Sequence, residues 1–389
     1  MDEAFIRERA DDWIALRRDL HAHPELAFAE QRTSDLVAQR LHAAGMDVRR
    51  GFAGTGVVGL LAGRAPGPMI GLRADMDALP LDEANTFAHR SRHAGRMHAC
   101  GHDGHTAILL GAAETLARLP DFAGSVAFIF QPAEEGDGGA RRMIDEGLFV
   151  EFPCEEVYAL HNWPGLEAGS FAIHRAAVMA SADQFDIVLE GVGAHAAMPH
   201  QGRDPVTAAA ALIQTLQTLV SRRTDPLDAA VISVTRLQAG EAYNVIPAQV
   251  TIGGTVRALD NARRDAIEDE LRAAAEGIAA AHGLRARLDY RRGYPATVNH
   301  AAQADLCRAV AAELVGPEAV RTDLPPSMGA EDFAFMLQAK PGCYLWLGNG
   351  PGHGGCTLHN PHYDFNDAVL PLGVRFWCAL VARRLPIQV

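Results

Sequence analysis

The sequence predicts an α/β protein. A larger domain carries a helix-covered, mostly parallel sheet and is interrupted by a smaller, inserted α+β sandwich domain. Three observations lead there. Short apolar runs bounded by turn residues alternate with helical patterns through the first half of the chain, the order that puts parallel strands beneath helices. Near residue 180 this texture gives way to strand–helix–strand–strand–helix–strand, which suits a small sandwich with helices on one face. After "GYPATVNH" the first texture returns. At 389 residues the chain is long for one core, so two domains are expected. The larger is read as 1–178 with 294–389, and the insertion as 179–293.

The first twenty residues read as an amphipathic, charged helix. "TSDLVAQRLHAAGMDV" reads as a second, with Thr33 or Ser34 as its cap and Gly45 as its stop. "GVVGLLAG" and "PMIGLRADMD" are short apolar runs and predict buried strands. "TAILLGAAETLARL" is helical, "GSVAFIFQPAEEG" is a strand running into a loop, "GGARRMIDEGLF" is helical, and "EVYALHNWPG" is a strand with its exit. The insertion begins with "QFDIVLEGVGAHAAMP". It continues through the helix "PVTAAAALIQTLQTLV", the strands "AAVISVTRLQAG" and "AQVTIGGTVRAL", the helix "ARRDAIEDELRAAAEGIAAAHG" and the strand "RARLDYRRGYP". A helix, the strand "GCYLWLGNG" and a final helix complete the larger domain.

Composition narrows the function. With 48 acidic against 35 basic residues the net charge is −13, which disfavours nucleic acid and anionic membranes as partners. No apolar run is long enough to cross a bilayer, and the N-terminal stretch lacks a signal peptide's apolar core. The six cysteines are scattered, as expected of free thiols in a reducing cytoplasm; Cys100 stands apart because of its neighbours.

Five polar clusters follow the expected strands or lie near the C-terminus: "RADMDALP", "MHACGHDGH", "QPAEEGDGG", "LHNWPG" and "GCTLHNPHYDFND". In open α/β sheets, function gathers in loops at the carboxyl ends of strands. Imidazole, thiolate and carboxylate are ligands for Zn²⁺ and similar ions. Cys100 and His102 flank a glycine, so both are expected to reach one centre from a loop. Adjacent Glu134 and Glu135 point in different directions on an extended backbone, so one can bind metal while the other faces a water. That is the division a metallohydrolase needs. His161 and His359 would join from distant positions. Taken singly, each cluster has a bland reading as a surface histidine, an acidic turn or a buried thiol; the metal reading rests on their joint presence.

These motifs, together with "LHAHPELAFAE", "GVGAHAAMPHQGRDP", "NVIPAQVTIGGTVR" and "GAEDFAFML", carry a resemblance that runs in order along nearly the whole chain. The chain resembles the bacterial amidohydrolases that include hippurate hydrolase, the N-acyl-amino-acid amidohydrolases and the plant auxin-conjugate hydrolases. These lie within the superfamily of aminoacylases and two-metal carboxypeptidases. The resemblance implies two divalent metal ions, Zn²⁺ or Mn²⁺ with Co²⁺ or Ni²⁺ as alternatives, held by Cys100, His102, Glu135, His161 and His359. Glu134 would be the general base, and Asp77 the aspartate beneath the metals. Asp75 stands where the wider superfamily has a ligand histidine, and the cysteine loop replaces that ligand. The insertion resembles a lid and dimerisation domain through which a homodimer or homotetramer would form. His195 matches the lid histidine that stabilises the oxyanion, and Asn244 and Arg257 match residues near the substrate carboxylate. His98, Asp103 and His105 would support the metal loop. Glu25 and Glu331 are read as serving loop and cap geometry, His200 as structural, and His353 and His362 as bystanders.

The implied activity is metal-dependent hydrolysis of the amide bond of N-acyl amino acids, such as hippurate or N-acetyl amino acids. A metallo-dipeptidase or carboxypeptidase on the same scaffold is the alternative. A binding protein that had lost catalysis should lack the base or a ligand, and this chain keeps Glu134 and all five ligand candidates.

Overall fold

The computed structural model describes residues 2–351 and 356–387; His353 lies outside them. Contacts divide the chain into two units. The larger comprises Met1–Ala176, Val298–Pro325 and Asp332–Val389, and the smaller Ala177–Thr297 with Pro326–Glu331.

The larger unit is built on an eight-stranded sheet. In spatial order its strands are Asp47–Phe52, Gly56–Ala62, Ala123–Gln131, Ala65–Asp75, Glu156–Pro164, Gly342–Gly350, Phe171–Ala172 and Val320–Arg321. The four central strands, Ala123–Gln131 through Gly342–Gly350, run parallel, and antiparallel pairings flank them. Their apolar runs, such as Val126–Phe130 and Cys343–Leu347, are buried without alternation, as expected where both faces of a sheet are covered. The helix His102–Arg118 is buried nearly all round and packs against the strand Ala65–Asp75 and the helices Glu3–Ala22 and Leu370–Arg384. Truncating a fully buried residue of this core such as Leu109 to alanine costs about 2–5 kcal/mol. Parallel pairing of Asp75 with Gln131 and of Trp346 with His161 brings the carboxyl ends of these strands to one edge. The polar clusters leave from that edge.

Local starts and stops differ from the sequence reading in three places. The second helix is Gln31–Ala43, with Glu30 at its N-cap and Thr33 and Ser34 buried in its first turn. Glu25 caps it from outside, accepting the Arg32 and Thr33 N–H groups. "MHACGHDGH" is only half loop: Gly101 turns in the left-handed region (φ 94°) and the helix begins at His102. "GGARRMIDEGLF" splits into Gly139–Asp145 and Leu148–Glu151, separated at Gly147 (φ 97°).

The smaller unit is a four-stranded antiparallel sheet in the order Ala230–Ala239, Gln249–Ala258, Ala182–Glu190, Arg285–Tyr294. The helices Pro205–Arg223 and Asn261–Ala281 pack on it through Leu212, Leu216, Ile267 and Leu271 against Phe185, Ile187 and Ile252. Pro326–Glu331 belongs here too, because the Ala180 N–H bonds the Ser327 and Gly329 carbonyls. Among the described residues no helix is long and apolar enough to cross a membrane, and all six cysteines are free.

Candidate active site

The site of the larger unit grows from the strand Ala65–Asp75. Arg73, Asp75 and Asp77 are all buried. Arg73 pairs with Asp75 at 2.7 Å and with Asp332 at 3.1 Å. The Asp77 carboxylate accepts the Glu134 N–H at 3.0 Å and the Glu135 N–H at 2.9 Å. One aspartate therefore holds the two consecutive peptides that carry both glutamates.

Donor–acceptor logic sorts the histidines. A carbonyl only accepts, so His102 Nδ1 donates to the Asp77 carbonyl (2.9 Å) and His161 Nδ1 to the Asn162 carbonyl (2.7 Å). In each ring this leaves Nε2 as the nitrogen able to bind a metal. His105 differs: Nδ1 meets Asp75 at 2.6 Å and Nε2 accepts the Asn162 N–H at 2.9 Å. Both its nitrogens are committed, so it supports the site and does not ligate.

The candidate ligand atoms converge. Among the described residues, Cys100, Glu135 and His359 offer donors within 4.8 Å of one another, as do His102, Glu134 and Glu135, and Asp75, His102, His105 and His161. Cys100 Sγ lies 3.4 Å from His161 Nε2, and His359 Nε2 lies 3.3 Å from Glu135. Cys100 and His102 fall in different groups, and Glu135 belongs to both. His359, in the left-handed region (φ 62°), is anchored by its N–H to the Ala99 carbonyl.

These residues fit divalent metal. His102 Nε2 and Glu135 Oε1 are buried without a hydrogen bond of ordinary geometry, a costly state unless a cation is present. Burial, reinforced by the Glu135, Glu134 and Asp75 carboxylates, pushes the Cys100 thiol up. For His102, burial alone would lower the imidazole, but Asp75, Asp77 and Glu135 outweigh it and lift it to about 10. A metal ion would take the place of both protons. His161 is held neutral by burial and by neighbouring His105, the form that coordinates metal.

Asn162, Tyr363 and Arg17 are supports that sequence reasoning did not name. Tyr363 donates to Asn162 Oδ1 (2.6 Å), and Asn162 Nδ2 donates to the Cys100 carbonyl (2.7 Å). Fully buried Arg17 joins Asp103, in the first turn of the helix His102–Arg118, to Asp364 and Asp367 beyond His359. The local signals for this network were the asparagine of "LHNWPG", the tyrosine and aspartates of "LHNPHYDFND", and Asp103.

In the smaller unit, His195 pairs with Val245 across a short antiparallel ladder, and the Asn244 carbonyl accepts the Ala196 N–H. His195 and Asn244 are therefore neighbours, and both are exposed. Arg257 is half-buried, and burial pulls its guanidinium down despite Asp183. It stands eight residues along the strand that begins at Gln249, roughly 26 Å from that end. The His195–Asn244 ladder joins the chain near Gln249, so the structure does not bring Arg257 to it.

A family model described as Peptidase family M20/M25/M40 matches residues 71–383. The chain belongs to peptidase family M20/M25/M40. Its M20 relatives include the hippurate hydrolase of Campylobacter jejuni subsp. jejuni serotype O:2, 40% identical over 380 residues, covering 98% of each chain. The Arabidopsis thaliana IAA-amino acid hydrolase ILR1-like 2 is 38% identical, covering 96% of this chain and 85% of that one. A solved M20 structure, the Bacillus subtilis YXEP protein described as a dinuclear metal binding peptidase, matches with a TM-score of 0.87 and 34% identity, covering 98% of this chain and 100% of that one. This M20 chain is a metal-dependent amidohydrolase.

Proposed function

We propose that this chain hydrolyses the amide bond of N-acyl amino acids, aryl or alkyl, to a carboxylic acid and a free amino acid. The observation that carries this is the Glu134–Glu135 pair on one aspartate. Glu135 lies within reach of both Cys100 with His359 and His102, and the Glu134 carboxylate stands beside it and His102, close enough to serve a water held there. Names of relatives that act on hippurate and on indoleacetyl-amino acids support the substrate class.

Two divalent ions, Zn²⁺ or Mn²⁺, would be held by Cys100, His102, Glu135, His161 and His359, as the dinuclear description of a neighbour supports. When bound, such ions polarise the acyl carbonyl and make water acidic. Glu134 takes the proton of the attacking water as the carbon–oxygen bond forms, then delivers it to the nitrogen as the carbon–nitrogen bond breaks. His195 donates to the developing oxyanion. Asn244 and Arg257 hold the α-carboxylate, for which a planar guanidinium is well shaped. Arg257 and His195 lie too far apart in one smaller unit to serve one small substrate. A homodimer or homotetramer formed through that unit, the proposed lid and dimerisation domain, would supply them from two copies. The proposed location is the cytoplasm.

The test is amino-acid release from hippurate, N-acetyl amino acids and dipeptides, with Glu134→Gln run alongside and bound metal counted. We expect the acyl amino acids to be cut, with a loss of about 10²–10⁴-fold in Glu134→Gln at unchanged metal content. Cleavage of dipeptides alone would instead assign a peptidase, and full activity in Glu134→Gln would remove Glu134 as the base.

A further inference from the structure

Glu30 is a carboxylate buried to 0% exposure. Among the described residues it pairs with no arginine, lysine or histidine, and burial pushes its carboxyl up to about 7. Burying a charge without a cation is expensive. The helix that follows does not explain it: Glu30 occupies the N-cap without capping through its side chain, and Glu25 does that work.

Its hydrogen bonds lead elsewhere. Glu30 Oε1 accepts the Ala133 N–H at 3.0 Å and the Phe28 N–H at 3.1 Å, and Oε2 accepts the Thr55 hydroxyl at 2.6 Å. Ala133 and Phe28 are both non-glycine residues in the left-handed region, at φ 55° and 60°. Such a backbone costs energy and persists only where its surroundings impose it. Ala133 immediately precedes Glu134 and Glu135. Its carbonyl accepts the Gly139 N–H, so its N–H is its remaining anchor. The N–H groups of Ala133, Glu134 and Glu135 are thus held in succession by carboxylates, the first by Glu30 and the next two by Asp77.

We propose that Glu30 is a positioning residue for the reaction, fixing the left-handed Ala133 turn and through it the directions of Glu134 and Glu135. This rests on the amide-hydrolase reading above. The acceptor geometry does the work: a carboxylate or amide oxygen at this depth serves, and a shorter or absent one does not.

The experiment compares wild type, Glu30→Ala, Glu30→Asp and Glu30→Gln in the metal-loaded protein. It reads kcat and KM on hippurate and the chelator concentration that strips half the metal. Glu30→Asp keeps the charge but draws the oxygens back by one methylene; Glu30→Gln keeps the length and one acceptor. We expect kcat to fall about 100-fold in Ala and Asp, as for an ångström-scale misplacement, with KM little changed. The half-stripping concentration should fall about tenfold as Glu135 loses its aim, and Gln should restore both readouts. If Ala does not fold, Asp against Gln decides. Wild-type behaviour of Asp, or a Gln variant as poor as Asp, would overturn the proposal. The chelator readout needs no substrate, so absence of hippurate turnover in wild type would count against the function and leave Glu30 tested.

Discussion

Gly101→Ala is a sharp test of the site's construction. Gly101 lies at φ 94° directly before the metal helix, and an added Cβ would sit 2.1 Å from Asn162 Nδ2 and 2.7 Å from the Tyr363 hydroxyl. The left-handed backbone costs an alanine about 1–2 kcal/mol. Asn162 cannot simply step aside, because its amide donates to the Cys100 carbonyl at 2.7 Å and lies 3.0 Å from His105 Nε2. Displacing it breaks buried hydrogen bonds, at about 1–3 kcal/mol. The expected destabilisation is about 2–5 kcal/mol, confined to the larger unit. All four tryptophans, Trp13, Trp163, Trp346 and Trp377, belong to that unit, so urea unfolding followed by tryptophan fluorescence reads it selectively. A loss below about 1 kcal/mol would refute the reasoning, because no relaxed position for the new methyl avoids both costs.

Three further outcomes are expected. Burial alone would lower the His21 imidazole, but Asp103 and Glu83 raise it from 6.5 to about 9. Its stabilisation is therefore fully present below 6.5 and lost as pH rises through about 9. A fluorescence-monitored pH series should show that alkaline decline flattened in His21→Gln. Stripping the metal with a chelator should lower the tryptophan-monitored melting temperature, because a ligand of the folded state stabilises it by mass action; an unchanged midpoint would contradict the assigned ligands. Arg257→Ala should raise KM for acyl amino acids at least tenfold, about 1.4 kcal/mol, with a smaller effect on kcat, in a steady-state assay.

Much of this architecture is legible in local sequence. Continuous apolar runs such as Val126–Phe130 mark central parallel strands, and the polar clusters at their carboxyl ends mark the site. What stayed hidden depends on partners far along the chain. Arg73 sits beside Asp75 in sequence, but nothing local shows that it also meets Asp332, 259 residues away. Glu30 reads as an ordinary acid at a helix start, since nothing nearby announces that Ala133 will need its oxygen. The start of the metal helix was missed because Cys100–Gly101 carries none of the serine, threonine, asparagine or aspartate caps that signal one. Thr33 and Ser34 sent the opposite false signal, since Glu25 reaches across to cap the helix they were expected to begin.

The order in which the proposed ligands occur along the chain has a consequence for biosynthesis. Cys100, His102, Glu135 and His161 all precede the smaller unit, whereas His359 follows it. As the chain is made, four ligands emerge and then wait while the intervening segment is completed before the fifth arrives. Contacts of such wide sequence separation form slowly. The proposed metal centre would therefore be a late clasp: it would close after the local helices and the nearly contiguous smaller unit have had time to fold. A nascent chain stalled before residue 359 would hold an unfinished cage, with a thiol and three other ligands but no His359 to close it.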